Sequence, residues 1–188
     1  NLLGGSVEYD VDLSESNCGC IAAFYLISAP GKDSNGNYWN TDGYYYCDAN
    51  QVAGNFCPEW DIMEANQWAT QTTPHSCDSP TNKGFYTNCN RGGDCWLNNV
   101  NMLDYSDYGP GSNFKIDTTR EWHFAINWKA DGSFSTTMSQ DGNNVSMYGD
   151  CGSKITGDLQ NGMAFAISNW STYDSWLWKD RCQASTCN

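Results

Sequence analysis

Basic residues, histidine and long apolar runs are scarce in this sequence. Nine Lys and Arg stand against 22 Asp and Glu, and the formal charge of −13 disfavours nucleic acid and other polyanions as partners. Only two histidines occur, and Cys18-Gly19-Cys20 lacks the two-residue spacer of common zinc sites, so we expect no metal and no cofactor. No apolar run approaches ~20 residues, which predicts that no segment spans a membrane.

Cysteines and aromatic rings are abundant instead. Ten cysteines, an even number, indicate five disulfides formed in an oxidising compartment. We therefore expect a secreted, extracellular protein whose leader has been removed or precedes Asn1, with sequons at Asn144 and Asn169. The length of 188 residues suits a single domain, 1–188, and we expect a monomer.

Nine Trp and eleven Tyr exceed what a core of this size needs. Sugar rings stack their apolar faces on aromatic side chains, so exposed rings would suit a polysaccharide-binding groove. The alternative for each ring is ordinary core packing, which we expect for at least half of them.

Three carboxylates lie in the short run Glu59-Trp60-Asp61-Ile62-Met63-Glu64, and the residues between them are apolar. In a regular strand the first two acids share a face and the third points away, unless a bulge between the second and third restores it. In a helix the first and third acids would diverge by roughly 140°. Chance produces this spacing in about a quarter of such chains, but the apolar neighbours favour a half-buried strand.

Acids arranged in this way are typical of glycosidic bond cleavage. One carboxylate attacks the sugar carbon while a second, protonated, donates to the leaving oxygen, and the retaining reaction needs the pair only ~5–5.5 Å apart. A third acid between them can hold a proton and separate the pKa values of its neighbours.

Alternating apolar residues predict an all-β fold. Half-buried strands are expected over 7–13 and 122–128, and Asp131-Gly132 and Asp141-Gly142 predict hairpin turns. Residues 66–112 show no period and read as a long loop cross-linked by cysteines. No helix longer than a turn or two is expected, and a two-sheet antiparallel sandwich is the default architecture.

Motifs along the chain resemble those of glycoside hydrolase family 7, the fungal endoglucanases and cellobiohydrolases. Residues 59–66 match the family's Glu-x-Asp-Ile-x-Glu-Ala-Asn, 46–48 its Tyr-Cys-Asp, and 73–77 its Thr-Pro-His-Pro-Cys with Ser in place of the second Pro. Residues 108–112 and 117–119 fall at the family's spacing. The resemblance runs in order from residue 3 to about 182.

The resemblance implies a β-jelly roll with a concave substrate-binding face and long disulfide-linked loops. It implies a retaining, endo-acting glycoside hydrolase that cleaves β-1,4-glucosidic bonds in cellulose or related β-glucan. Glu59 would be the nucleophile, Glu64 the acid/base, and Asp61 the residue that positions Glu59. The substrate-binding residues that it implies are Tyr25, Tyr46, Asp48, His75, Trp170 and Trp178.

The resemblance also implies the disulfide pairing. Three pairs follow by position, and the two remaining cysteines before residue 21 would take the last two of the chain in either order. The implied pairs are Cys47–Cys57, Cys77–Cys89 and Cys95–Cys151, with Cys18 and Cys20 bonded to Cys182 and Cys187.

The chain departs from the family at several points. It is shortened at both ends, so either it closes a smaller sandwich or edge strands lie elsewhere. Ile21 stands where the family has a substrate-contacting Asn, and Asn101 where an Arg grips the product side. The loops that roof the cellobiohydrolase tunnel are absent or clipped, and the resulting open cleft suits internal cleavage.

Other functions stay open at this point. The same fold could act on mixed-linkage β-glucan or on chitosan, whose cationic chain the acidic surface would attract. It could be a lyase on a uronic-acid polysaccharide, which an assay for unsaturated products would reveal. A carbohydrate-binding module without chemistry or a structural secreted protein would release no reducing ends.

Overall fold

The computed structural model describes residues 1–38 and 45–171. The expectations for Trp178, Cys182 and Cys187 lie outside these residues. Eleven strands and two short α-helices are found within the described ranges. In chain order they are β1 (Ser6–Val11), β2 (Cys20–Ile27), β3 (Glu59–Ala65), β4 (Thr70–His75), β5 (Leu97–Asn98), α1 (Asn99–Met102), β6 (Tyr108–Gly109), β7 (Ile116–Asp117), β8 (Trp122–Trp128), β9 (Phe134–Gln140), β10 (Asn143–Gly149), α2 (Thr156–Asn161) and β11 (Ala164–Ser171).

Two antiparallel sheets form a sandwich, as the alternating patterns predict. One sheet has the strand order β1-β8-β9-β10 and the other β11-β2-β3-β4-β5, while β6 and β7 form a small parallel pair. No helix in the described part of the chain is long and apolar enough to cross a membrane. The predicted absence of long helices holds there too, since α2, with six residues, is the longer of the two.

Hairpins connect β8 to β9 and β9 to β10 as expected. The turn between β9 and β10 places Asp141 at φ 50° and Gly142 at φ 83°. Both torsions lie in the left-handed region that two-residue hairpin turns require, which Asp and Gly tolerate well. The register then brings Val145 opposite Met138, and both side chains are buried.

The main core lies between the two sheets. Trp60 of β3 is fully buried and meets Trp128 and Phe134 of the opposite sheet edge-on, with ring centroids 5.6 and 4.8 Å apart. Ile62, also on β3, is fully buried in the same cluster. The apolar residues between the acids therefore fasten β3 to the core.

Strand β4 corrects one sequence-based expectation. Residues 66–112 were expected to be a loop, but β4 lies within them and pairs with β3 over its whole length. All six of its residues are buried, yet most are polar: Thr72, for example, is fully buried and donates from Oγ1 to the Ile62 carbonyl oxygen at 2.8 Å. Because polar side chains occupy both faces, the strand lacks the apolar alternation that reveals a strand in sequence.

The disulfides agree with the pairing that the resemblance implied. Bonds join Cys47 to Cys57, Cys77 to Cys89 and Cys95 to Cys151. Cys18 and Cys20 are disulfide-bonded as well. Their predicted partners lie outside the described residues.

Candidate active site

A β-bulge in β3 is the feature on which the site is built. Asp61 lies opposite Thr73 and Glu64 opposite Gln71, so three steps along β3 correspond to two along β4. On the other side, consecutive residues of β2 pair with Met63 and Asp61 and pass over Ile62. The bulge predicted from the spacing of the acids is therefore confirmed, and it returns Glu64 to the face of the first two acids.

Two adjoining cavities form a groove along that face of the five-stranded sheet. Their volumes are about 550 and about 350 Å³. The smaller is lined by Glu59, Asp61 and Glu64, and the latter two also line the larger. All three carboxylates thus face one groove, each no more than 9% exposed.

Glu59 combines strong burial with stabilising contacts. Burial, followed by the charges of Asp61 and Asp48, raises the pKa of Glu59 to about 8. Two contacts lower the pKa of Glu59. The Ala49 backbone N–H donates to Glu59 Oε2 at 3.0 Å, and the charge of His75 favours the ionised carboxylate.

Glu64 lacks contributions of this kind. Burial, and then the charges of Asp61 and Glu59, raises the pKa of Glu64 well above its usual range. Among the residues that the structure describes, no hydrogen bond or positive charge lowers the pKa of Glu64 in the way that Ala49 and His75 lower that of Glu59. Both pKa values are therefore raised, but only Glu59 has contacts that favour its ionised form.

Asp61 and His75 share a proton. Nδ1 of His75 lies 2.9 Å from the Asn90 carbonyl oxygen, which can only accept, so Nδ1 carries a hydrogen. Nε2 lies 2.9 Å from Asp61 Oδ2. A single proton between these two atoms keeps them hydrogen-bonded, either as imidazolium and carboxylate or as imidazole and carboxylic acid.

The titration of this pair follows from the same contacts. Burial raises the pKa of Asp61, while the hydrogen bond and charge of His75 act against burial. Burial by itself would lower the pKa of His75, but the hydrogen bond to Asp61 and its charge outweigh it and raise the pKa to about 9. Asp61 is thus held in place across the neutral pH range.

Three of the predicted substrate-binding residues form a hydrogen-bonded chain. Tyr46 donates from its hydroxyl to Asp48 Oδ2 at 3.0 Å, and the hydroxyls of Tyr25 and Tyr46 are 2.9 Å apart. Because Tyr46 has one hydroxyl proton, Tyr25 donates to it. All three line the smaller cavity beside Glu59.

The other predicted binding residues are distributed along the groove. His75 lines the larger cavity, and Trp170 on β11 lines both cavities and is 38% exposed. Trp178 lies outside the described residues. The structure thus brings together all of the predicted site residues that it describes.

Sequence reasoning did not single out several lining residues of the larger cavity. Gln71 and Thr73 alternate with His75 on β4, a period that would have revealed them had β4 been predicted as a strand. Arg91 and Trp96 lie in an irregular loop, where no local pattern marks a side chain as groove-lining.

The chain is similar in sequence to fungal endoglucanases. No family model matches the chain. Endoglucanase type C of Fusarium oxysporum is 32% identical over 65% of this chain and 34% of its own length. Endoglucanase EG-1 of Hypocrea jecorina is 26% identical over the whole chain and 47% of its own length. The chain thus spans about a third to a half of the curated relatives that it matches.

Solved structures share the fold. An endoglucanase I complexed with cellobiose has a TM-score of 0.77 and 24% identity, covering all of this chain and 62% of its own. A glycoside hydrolase family 7 cellobiohydrolase from Daphnia pulex has a TM-score of 0.72 and 23% identity, covering 92% of this chain and 58% of its own. This chain is thus similar in sequence to fungal endoglucanases, and it shares its fold with solved endoglucanases and with a family 7 cellobiohydrolase. The resemblance inferred from the motifs and the predicted jelly roll are both confirmed.

Proposed function

We propose that this chain is a retaining, endo-acting glycoside hydrolase that cleaves β-1,4-glucosidic bonds in cellulose or a related β-glucan. The observation that carries the proposal is the bulge in β3, which brings Glu59, Asp61 and Glu64 to one groove. A binding module needs no cluster of three buried acids, since their mutual repulsion and burial are unfavourable.

In the first half of the reaction Glu64 is the acid and Glu59 the nucleophile. Glu64 transfers its proton to the glycosidic oxygen as the bond from this oxygen to the anomeric carbon breaks, and Glu59 forms a bond to that carbon. In the second half Glu64 takes a proton from water, the water oxygen attacks the anomeric carbon, and Glu59 leaves. The unequal surroundings of the two glutamates support these roles.

Asp61 and His75 position the reacting groups. Asp61 lies between the two glutamates in sequence and lines the groove with both. The hydrogen bond from His75 partly neutralises the charge of Asp61, and this limits the repulsion between Asp61 and an ionised Glu59.

The remaining parts of the proposal concern setting and partners. A polysaccharide is the partner, with Tyr25, Tyr46 and Asp48 binding the sugar over Glu59. The three disulfides of the described residues support secretion into an oxidising compartment. We also propose that residues 1–188 form a single domain and that the protein is a monomer.

The test is a product analysis on a substrate panel. β-1,4-Glucan, mixed-linkage β-glucan, chitosan and polyuronate are incubated with the protein, and the products are identified by mass. We expect soluble oligosaccharides with new reducing ends from a β-1,4-glucan. Unsaturated products from the polyuronate, or no products at all, would overturn the proposal.

The variant Glu59→Gln tests the nucleophile. We expect turnover to fall by about 10³-fold or more while binding of oligosaccharides stays measurable, because the amide fills the same space and cannot form the glycosyl-enzyme. Glu121→Gln, a change of the same kind at an exposed position, is the control and should leave turnover unchanged. Substantial activity of Glu59→Gln would refute the assignment.

A further inference from the structure

Trp96 is an exposed tryptophan that lines the larger cavity of the groove. It is 58% exposed, whereas three of the other tryptophans in the described residues, Trp60, Trp122 and Trp128, are buried. Its indole Nε1 donates to the Gly92 carbonyl oxygen at 2.7 Å. This hydrogen bond satisfies the polar edge of the ring and fixes its orientation, so that apolar surface remains open to the groove.

The loop that carries Trp96 is fastened on several sides. Cys95, the residue before Trp96, forms a disulfide with Cys151. The Asp94 backbone N–H donates to the Pro74 carbonyl oxygen at 2.7 Å. Asp94 also accepts from Ser76 Oγ at 2.9 Å. A ring held by contacts of this kind loses little conformational freedom when a ligand binds.

Close packing against β4 adds to this rigidity. Gly93 has φ +82°, a conformation that L side chains rarely adopt, and a Cβ there would clash with Thr73 on β4. The loop therefore lies directly against the strand that lines the groove.

The two cavities divide the groove into halves. Glu59 lines the smaller cavity and does not line the larger one, while Glu64 lines both. If Glu59 bonds to the anomeric carbon and Glu64 protonates the departing oxygen, the larger cavity holds the departing part of the chain. Its volume of about 550 Å³ is in the range that buries a drug-sized ligand, which exceeds a single sugar ring.

Polar groups complete the larger cavity around Trp96. Arg91 lines it, and no carboxylate in the described part of the chain forms an ion pair with its side chain. Asn98 and Asn101 line it as well. Guanidinium and amide groups supply the donors and acceptors that sugar hydroxyls require, and the flat ring supplies the apolar contact.

We propose that Trp96 is the stacking platform of a sugar subsite on the leaving-group side of the groove, with Arg91 binding hydroxyl groups of the same sugar. The occupant is a neutral β-linked glucosyl unit of the departing chain. This inference rests on the proposed function, because it takes the direction of the substrate from the roles of Glu59 and Glu64.

Binding to an inactivated chain tests the subsite separately from catalysis. Glu59→Gln protein, with and without Trp96→Ala, is titrated with β-1,4-linked glucose oligomers of two to six units by calorimetry. We expect Trp96→Ala to weaken binding of the longest oligomers about 10-fold, because a stacking surface is lost. Trp96→Phe should retain most of the affinity, and Arg91→Gln should weaken binding by a smaller factor.

Tyr148→Ala is the matched control. Tyr148 is 72% exposed on β10 of the opposite sheet and lines neither cavity, so its removal should leave binding unchanged. Equal affinity of the Trp96→Ala and parent chains for every oligomer would overturn the subsite.

Hydrolysis by the chain with Glu59 intact distinguishes the two proposals. If it cleaves β-1,4-glucan and Trp96→Ala changes neither affinity nor the KM for long oligomers, the subsite fails and the proposed function stands. If it cleaves nothing but Trp96 still contributes to oligomer binding, the proposed function fails and a sugar-binding role of Trp96 stands.

Discussion

The central strand β3 and the edge strand β11 belong to one sheet and reverse the usual relation between polarity and burial. All seven residues of β3 are buried, although three are acids. On β11 the apolar Phe165 and Ile167 are 55% and 81% exposed. The strand that carries the acids, β3, is thus buried on both faces, whereas apolar side chains of β11 are exposed.

This contrast shows that the free-energy cost of burying the acids of the site falls on β3. On β3 the core side, led by Trp60 and Ile62, anchors a strand whose groove side opposes folding through buried charge. On β11 Phe165 stacks on Phe24 of β2 with ring centroids 5.4 Å apart. We expect mutations and pH to act strongly on the first strand and weakly on the second.

Replacing Trp60 by Ala should have the largest effect on stability. The change empties space between the two sheets and should lower the free energy of unfolding by about 3–5 kcal/mol. Chemical denaturation monitored by circular dichroism measures it. A loss below about 1 kcal/mol would show that the anchor of β3 lies elsewhere.

The stability of the protein should decrease as pH rises from about 5 to about 8. The pKa of Glu59 is about 8 in the folded protein against an ordinary value of 4.5, so in this window the folded state binds more protons than the unfolded state. The slope of the free energy of unfolding with pH is then negative, and the part of the loss that Glu59 contributes is on the order of 3 kcal/mol. Glu64, whose pKa is also raised, adds to the loss. Thermal melts across this range measure the loss.

His75 acts in the same direction at higher pH. Its pKa of about 9 lies above the ordinary 6.5, so its stabilising contribution is complete below 6.5 and is lost as pH rises through 9. Glu59→Gln should make the pH dependence between 5 and 8 less steep by the share of Glu59, because the amide does not ionise, while Glu64 and His75 still contribute. A curve that is equally steep in this variant would show that other groups control it.

Replacing His75 by Gln should lower kcat about 10²-fold, since Asp61 loses the partner that fixes it beside the reacting groups. KM should change less, and the pH at which activity rises should shift. His123→Gln is the control, because this histidine lies on the opposite sheet, paired with Asp10 at 2.9 Å. Equal effects of the two variants would contradict a positioning role for His75.

Replacing Ile167 by Thr on β11 should have the smallest effect. The side chain is largely in solvent and the β-branched shape is kept, so the free energy of unfolding should change by no more than about 0.5 kcal/mol. The same denaturation experiment measures it. A loss as large as that of Trp60→Ala would remove the contrast between the two strands.

Much of the fold could be predicted because its signals are local. Alternating apolar residues indicated β8 and β9, and Asp-Gly pairs indicated their turns. The acidic run even indicated its own bulge, since three acids share one face only if a residue is added to the strand. β4 was missed because its buried residues are polar on both faces, and that burial depends on neighbours distant in the chain.

The sequence alone determined the alternation of the strands, the turns and the placement of three acids around one bulge, because these depend on residues adjacent in the chain. Tertiary structure decided the rest. It set the proton shared by Asp61 and His75 through the carbonyl of Asn90, and it brought the ring of Trp96 to the larger cavity of the groove. Burial, electric fields and cavities arise from groups far apart in sequence, so no local pattern records them.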